Sequence, residues 1–195
     1  MAVGSTMLPL GTSAPAFSLP DTVSGRTVSL DDYADHKALL VMFICNHCPY
    51  VKHVRAGLAE LGEDYADSPL AIVAISSNDP AAYPDDGPQE MAVEAAQYGY
   101  RFPYLFDESQ HVAQSYTAMC TPDFFLFDAD RVLAYRGRFD DSRPDTGRPV
   151  TGADLRDAIE AVLSSAEPTA EQFPSMGCSI KWKSGNVPVY FASVS

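Results

Sequence analysis

Ala38-Leu39-Leu40-Val41-Met42-Phe43-Ile44-Cys45-Asn46-His47-Cys48-Pro49 is the stretch whose reading decides the fold. Its opening apolar run has no polar alternation, which suits a strand covered on both faces in the middle of an α/β sheet. From Tyr50 onward Val51, Val54, Leu58 and Leu61 recur at helical spacing with charged residues between them, so an amphipathic helix follows directly. The two cysteines therefore stand at a strand-to-helix junction. Unpaired N–H groups and the positive end of the helix dipole stabilise a thiolate there, lowering a cysteine pKa from about 8.5 to roughly 3.5–7.5. Two intervening residues let the second sulfur reach the first, the pattern of a dithiol–disulfide site. On this reading Cys45 is the nucleophile that attacks a substrate disulfide, and Cys48 is the thiol that resolves the mixed disulfide.

Outward from this unit, residues 16–19 and 26–30 flank the turn Asp21-Thr22-Val23-Ser24-Gly25 and predict a β-hairpin. Residues 70–75 form a second continuous apolar run, hence a second buried strand, and the polar Ser76-Ser77-Asn78-Asp79-Pro80 follows it. The pattern then predicts a helix over 89–98 packing Met91, Val93, Ala95 and Ala96, a short strand at 102–106 and a short helix at 108–116. A hairpin over 123–128 and 131–135 comes next, then an amphipathic helix over 153–164 with Leu155, Ile159, Val162 and Leu163 inward. Strand–helix alternation implies parallel crossovers and the late hairpin adds antiparallel strands. The predicted fold is α/β, a mixed central sheet between two helical layers. Residues 1–164 read as one domain with an N-terminal hairpin. Residues 165–195, with Pro168, Pro174 and Pro188 and no helical period, read as a tail packed on it.

The 195 residues are 46% hydrophobic, enough for one full core. Thirteen Lys+Arg against 26 Asp+Glu give a net charge of -13, which argues against nucleic acid or an anionic membrane surface as partner. Four cysteines are too few for a disulfide scaffold, so each needs its own explanation in reactivity, metal or packing. Residues 1–20 carry no Lys or Arg, and their longest apolar run is Met7-Leu8-Pro9-Leu10, unlike a secretory signal. The chain contains no long apolar span either, so the expected location is the cytoplasm, unless a signal peptide has been removed.

The strand-CxxC-helix unit at residues 39–61, and Thr121-Pro122 just ahead of the predicted hairpin, make the chain similar to the thioredoxin superfamily. Within it, the chain resembles the redoxin branch of TlpA-like and alkyl-hydroperoxide-reductase-like proteins over residues 13–164. That resemblance implies a cis-proline at Pro122 opposite the dithiol, with Thr121 and Pro122 as substrate-binding residues beside which a peptide pairs by strand addition. It also implies a thiol–disulfide oxidoreductase without bound cofactor or metal, acting on protein or low-molecular-weight thiols and disulfides and served by a separate reductant system. Ile44 stands where thioredoxin has Trp, and Asn46-His47 where it has Gly-Pro. His47 precedes the second cysteine as in protein disulfide isomerase, where the imidazole helps hold a thiolate, and Leu39 replaces thioredoxin's buried acid. A stabilised thiolate makes the couple more oxidising than thioredoxin's about -270 mV.

Three other readings stand beside this one. Cys48-Pro49 looks like the Cys-Pro of a peroxiredoxin, with Arg136 or Arg138 as the guanidinium, but Cys45 and Val41 occupy the places of that family's Thr or Ser and Pro. A metal site would need Cys120 and Cys178, or His47 and His53, to complete the cysteine pair, and the spacing is unlike a zinc ribbon. A redox-inert peptide-binding module of the same fold is the third. Cys120 is a candidate accessory redox thiol or a small buried hydrophobe. Cys178 is a candidate to bond Cys120 or take electrons from Cys48, or else an inert thiol. His53 reads as a surface residue and Lys181-Trp182-Lys183 as a tail anchor. Asp85-Asp86 and Asp140-Asp141 read as solvated turns, the latter with a substrate contact.

Overall fold

A computed structural model describes residues 2–192; Met1 and residues 193–195, the outer ends of the two predicted segments, lie outside the described residues. The chain opens with β1 (Ala2–Gly4) and the hairpin β2 (Ser18–Pro20) and β3 (Thr27–Ser29). Strand β4 (Ala38–Phe43) leads to helix α1 (Pro49–Asp64), and β5 (Leu70–Ser76) to α2 (Pro88–Tyr98). Then come β6 (Tyr104–Phe106), α3 (His111–Ser115), β7 (Cys120–Thr121), β8 (Asp123–Phe127) and β9 (Leu133–Gly137). Helix α4 (Ala153–Leu163), strand β10 (Met176–Ser179) and the short α5 (Val189–Ala192) end the described chain.

The central sheet has the order β6-β5-β4-β8-β9. β4 runs parallel to β5 and antiparallel to β8, so the sheet is mixed as its sequence pattern implied. Every residue of β4 and β5 is buried because α1, α2 and α4 cover one face and α3, the β2–β3 hairpin and the tail cover the other. Leu40 and Met42 pack with Val54 and Leu58 of α1 and Leu155 and Ile159 of α4 in one core layer. Leu39, Val41 and Phe43 point the other way, with Tyr116, Phe125 and Phe127. Tyr116 stands edge-on to Phe125 with ring centroids 5.5 Å apart. Each such large side chain contributes about 1.5–3 kcal/mol by leaving water.

Three details depart from the periodicity. Val93 is 57% exposed and Ala96 also faces solvent, leaving Met91 and Ala95 as the buried residues of α2. That helix packs beside β6, the outer strand of the sheet, where a narrow apolar stripe suffices. The second strand of the late hairpin starts at Leu133 and not at 131, because Arg131 adopts a φ of 60° within the turn and sends its guanidinium to the carbonyls of Tyr33 and His36.

The tail closes onto the domain through β10, which pairs antiparallel with β7 on one side and β1 on the other. Further on, Trp182 packs against the second core layer and meets Phe191 edge-on at 6.4 Å. Lys181 donates its N–H to Asn78 Oδ1 (2.8 Å) and accepts at its carbonyl from Gln110 Nε2 (2.9 Å), so the tail is stitched by polar contacts as well as by the ring.

Where β1, β7, β8 and β9 converge, one buried ion pair sets the geometry. Asp123 accepts from Ser5 Oγ (2.8 Å) and the Met119 N–H (3.3 Å), and Arg136 Nη2 lies 3.5 Å from its carboxylate. Arg136 is fully buried, 4.9 Å over the Phe125 ring. Burial pushes the Asp123 carboxyl up and the guanidinium opposes that shift. Removing one member of such a pair strands the other charge. Asp123→Ala is expected to cost about 3–5 kcal/mol in urea unfolding, and Asp123→Leu combined with Arg136→Leu to cost less. A loss below about 1 kcal/mol for the single variant would contradict this role.

Candidate active site

Beyond the last residue of β4, Ile44 leads into Cys45-Asn46-His47-Cys48, and α1 begins at Pro49, whose fixed φ and missing N–H suit a first helical position. Cys48, not Cys45, is thus the N-cap residue. Both sulfurs are buried, Cys45 at 1% and Cys48 at 0% exposure. The Thr121–Pro122 peptide is cis, and Thr121 meets both sulfurs. Its Oγ1 lies 3.2 Å from Cys45 Sγ, and its carbonyl accepts from the protonated Cys48 thiol at 3.1 Å.

The groups that favour a thiolate gather on Cys48. The Cys45 thiol donates to it first of all, the Cys178 thiol and the Val51 and Cys178 N–H groups add to this, and together they outweigh burial and bring its pKa to about 4. Cys45 moves the other way: burial, its hydrogen bond to Cys48 and the nearby Asp86 carboxylate all raise its pKa. The helix N-terminus expected at Cys45 is capped by Cys48 instead. The helix starts four residues later than Cys45, and the Val51 N–H of its first turn serves Cys48.

Asp86 is fully buried and holds the CxxC loop from outside, which corrects its reading as a solvated turn. One carboxylate oxygen accepts the N–H groups of Asn46 (2.8 Å) and His47 (3.1 Å). The other lies 2.5 Å from His47 Nδ1 and accepts from Asn78 Nδ2 at 2.8 Å. Asn46 donates to the Asp85 carbonyl (2.8 Å) and accepts from the Tyr104 hydroxyl (3.1 Å). His47 stacks on Tyr83 with centroids 4.7 Å apart. Its Nδ1 is 3.9 Å from Cys45 Sγ, so the imidazole sits beside Cys45, the cysteine it was expected to partner, and is oriented by Asp86.

Asp86, Asn78 and Tyr83 carried no local signal in the sequence. The signal is topological: β5 lies parallel beside β4, so the loop after β5 ends next to the loop after β4. A buried carboxylate thus reaches the dithiol from a different element than the Leu39 position, where thioredoxin carries its own. Cys45, His47 and Asp86 form a metal-ligand-like trio, with candidate atoms within 4.8 Å. Both Asp86 oxygens are already satisfied by the four donors named above, so the trio fits a hydrogen-bonded brace better than an ion.

The other candidates are dispersed. His53 Nε2 lies 3.0 Å from Ser142 Oγ, away from the cysteine pair. Cys120 is fully buried, its thiol donates to the Pro122 carbonyl (3.5 Å), and burial pushes its pKa up, as for a small core residue. Arg136 pairs with Asp123 through Nη2, and Arg138 with Asp154 and the Phe173 face, and no hydrogen bond links either expected peroxide-binding guanidinium to Cys45 or Cys48 among the described residues. Asp140 is buried and accepts the N–H groups of Ser142 (2.8 Å), Thr151 (2.7 Å) and Gly152 (2.7 Å). It braces its loop, which corrects its reading as a solvated turn with a substrate contact. Asp141 is exposed and pairs with Arg148.

Thr121 and Pro122 differ most from expectation. The edge of β7 that a peptide would join is already taken by β10, in the register Cys178↔Thr121 and Ser179↔Cys120. The far edge of β10 is taken by β1, with Ala2↔Cys178. In this structure the cis-proline edge is an interior strand pairing, and the tail brings Cys178 against Cys48.

A mixed sheet between helical layers, with paired thiols beyond its central strand, defines a protein of the thioredoxin-like fold. Residues 10–136 match the AhpC/TSA family, and the chain belongs to that family. It is similar to a conserved uncharacterized protein from Geobacillus kaustophilus, with 50% identity, TM-score 0.92, 94% of this chain and 97% of that one covered. A hypothetical protein from Sinorhizobium meliloti matches equally, with 50% identity, TM-score 0.92 and coverage of 93% and 99%. A Mycobacterium tuberculosis protein named as a peroxiredoxin is 28% identical over 58% of this chain and 67% of its own. A thiol:disulfide interchange protein from Chlorobium tepidum shares the fold at 20% identity, with TM-score 0.63 over 80% of this chain and 99% of its own.

Asp86→Ala leaves buried N–H donors of the CxxC loop without a partner and is expected to lower the unfolding free energy by about 1–3 kcal/mol, with Asp86→Asn losing less. Urea unfolding of the reduced protein checks this, and an unchanged midpoint for Asp86→Ala would contradict it.

Proposed function

We propose that the protein is a thiol–disulfide oxidoreductase that cycles Cys45 and Cys48 between dithiol and disulfide, using protein or low-molecular-weight disulfides as substrates and a separate reductant. The observation that carries this reading is the convergence of both buried sulfurs on Thr121, Cys45 at 3.2 Å from its Oγ1 and Cys48 at 3.1 Å from its carbonyl. A charged sulfur beside a protonated one is the arrangement exchange requires. The Cys48 thiolate attacks one sulfur of the substrate disulfide; the Cys48–substrate bond forms and the other half leaves as a thiolate. Cys45 then gives up its proton and attacks Cys48 Sγ, forming Cys45–Cys48 and releasing the second thiolate. The chain loses two electrons and the substrate gains two. This order exchanges the roles given to the two cysteines by sequence alone. His47 Nδ1, 3.9 Å from Cys45 Sγ, donates to Asp86 and so positions the loop beside Cys45, while the Cys45 proton passes to the first released substrate thiolate.

The engagement of Arg136 and Arg138 elsewhere favours disulfide exchange over peroxide reduction. Occupation of the Thr121 edge by β10 favours low-molecular-weight substrates while the tail is docked.

Thiolate stabilisation at Cys48 favours the reduced form, so a titration against glutathione buffers is expected to give a midpoint less negative than about -270 mV. Cys45→Ser and Cys48→Ser should each abolish the Cys45–Cys48 disulfide. A midpoint at or below that value would contradict the thiolate argument, and rapid hydrogen peroxide reduction surviving Cys45→Ser would replace exchange by peroxidase chemistry.

A further inference from the structure

Strand β10 occupies the place at which a substrate strand would lie. Its register sets Cys178 opposite Thr121, the residue whose carbonyl meets Cys48 and whose hydroxyl meets Cys45. The approach is close enough to demand glycine: a Cβ on Gly177 would fall 2.0 Å from the Thr121 carbonyl oxygen and 2.6 Å from its carbon. β1 clamps the outer edge, with Val3 opposite Gly177. Cys178 is half-buried, packs on the core layer that contains Cys48, and stands opposite Thr121, whose carbonyl accepts from the Cys48 thiol. Cys48 is therefore flanked by two protonated thiols, one from the CxxC loop and one from the tail.

We propose that β10 is a tethered internal substrate strand and that Cys178 is a second resolving thiol, which forms a Cys48–Cys178 disulfide and so locks the tail across the cis-proline edge. Starting from the Cys45–Cys48 disulfide, Cys178 loses its proton and attacks Cys48 Sγ. The Cys48–Cys178 bond forms, the Cys45–Cys48 bond breaks, and the electron pair and a proton end on Cys45. No external electrons are needed for this transfer. The same cysteine resolves a Cys48–substrate mixed disulfide directly when Cys45 is absent. In the reduced protein the strand is held by hydrogen bonds and packing; in the oxidised protein it is covalently closed, so protein partners reach the Thr121 edge only from the reduced state. The inference rests on the exchange chemistry proposed above.

The test is anaerobic oxidation of the full chain by oxidised glutathione, followed by alkylation of free thiols and mapping of disulfide-linked peptides. Cys45→Ser is expected to yield the Cys48–Cys178 bridge with two glutathione thiols released per chain. Cys45→Ser combined with Cys178→Ser should stop at a Cys48–glutathione mixed disulfide with one released. Gly177→Ala, added to Cys45→Ser, keeps all remaining thiols but displaces the strand and should slow closure at least tenfold. If Cys45→Ser holds glutathione on Cys48 while Cys178 remains alkylatable, and the wild type still forms Cys45–Cys48, the tail proposal fails and the exchange reading stands. If neither protein forms an intramolecular disulfide, both fail.

Discussion

The sulfur of Cys48 lies where four separate pieces of chain meet. Cys45 reaches it from the end of the central strand, Val51 from the first turn of α1, Thr121 from the strand before the cis-proline, and Cys178 from the tail. None of these is a neighbour by chance of local sequence; each is delivered by a different feature of the fold. The β4–α1 junction supplies the helix N-terminus, the antiparallel β8 fixes where Thr121 stands, and the small β1-β10-β7 sheet fixes Cys178. Removing the sulfur from water would normally favour the neutral thiol. The Thr121 carbonyl accepts from the neutral thiol, whereas the donors from Cys45, Val51 and Cys178 oppose burial and draw the charge of the pair toward Cys48.

Such a site has to be held rigidly, and the holding is done by buried charge. Asp86 satisfies the N–H groups of the CxxC loop and orients His47, while Asp123 and Arg136 fix the segment that carries Thr121 and Pro122. A buried carboxylate is costly unless its lone pairs are filled, and Asp86 meets that condition with four donors from three residues. The same carboxylate disfavours a second negative charge on Cys45, so it helps decide which of the two sulfurs is charged.

How much of this was legible in the sequence follows from how local each feature is. The continuous apolar runs of β4 and β5 and the helical period of Val51, Val54, Leu58 and Leu61 are local, and they led to the right architecture. Cys45, Cys48 and Thr121 were legible as site residues through motif and resemblance, and the structure brings them together. Asp86 was not, because its burial comes from two loops meeting at the same end of neighbouring parallel strands. The role of the tail was hidden for a different reason. Met176-Gly177-Cys178-Ser179 has little apolar alternation, and its strand pairing is imposed by β1 and β7. Gly177 beside Cys178 was the available hint, since close backbone approach to another strand requires a residue without a side chain.

The central claim is that the charge of the dithiol resides on Cys48. Residue-resolved titration of the cysteine 13Cβ shifts in the reduced protein tests it directly. The expected result is a transition at Cys48 with a midpoint near pH 4, while Cys45, Cys120 and Cys178 remain protonated through neutrality. A titration in which Cys45 ionises first and Cys48 stays a thiol through neutral pH would contradict the account.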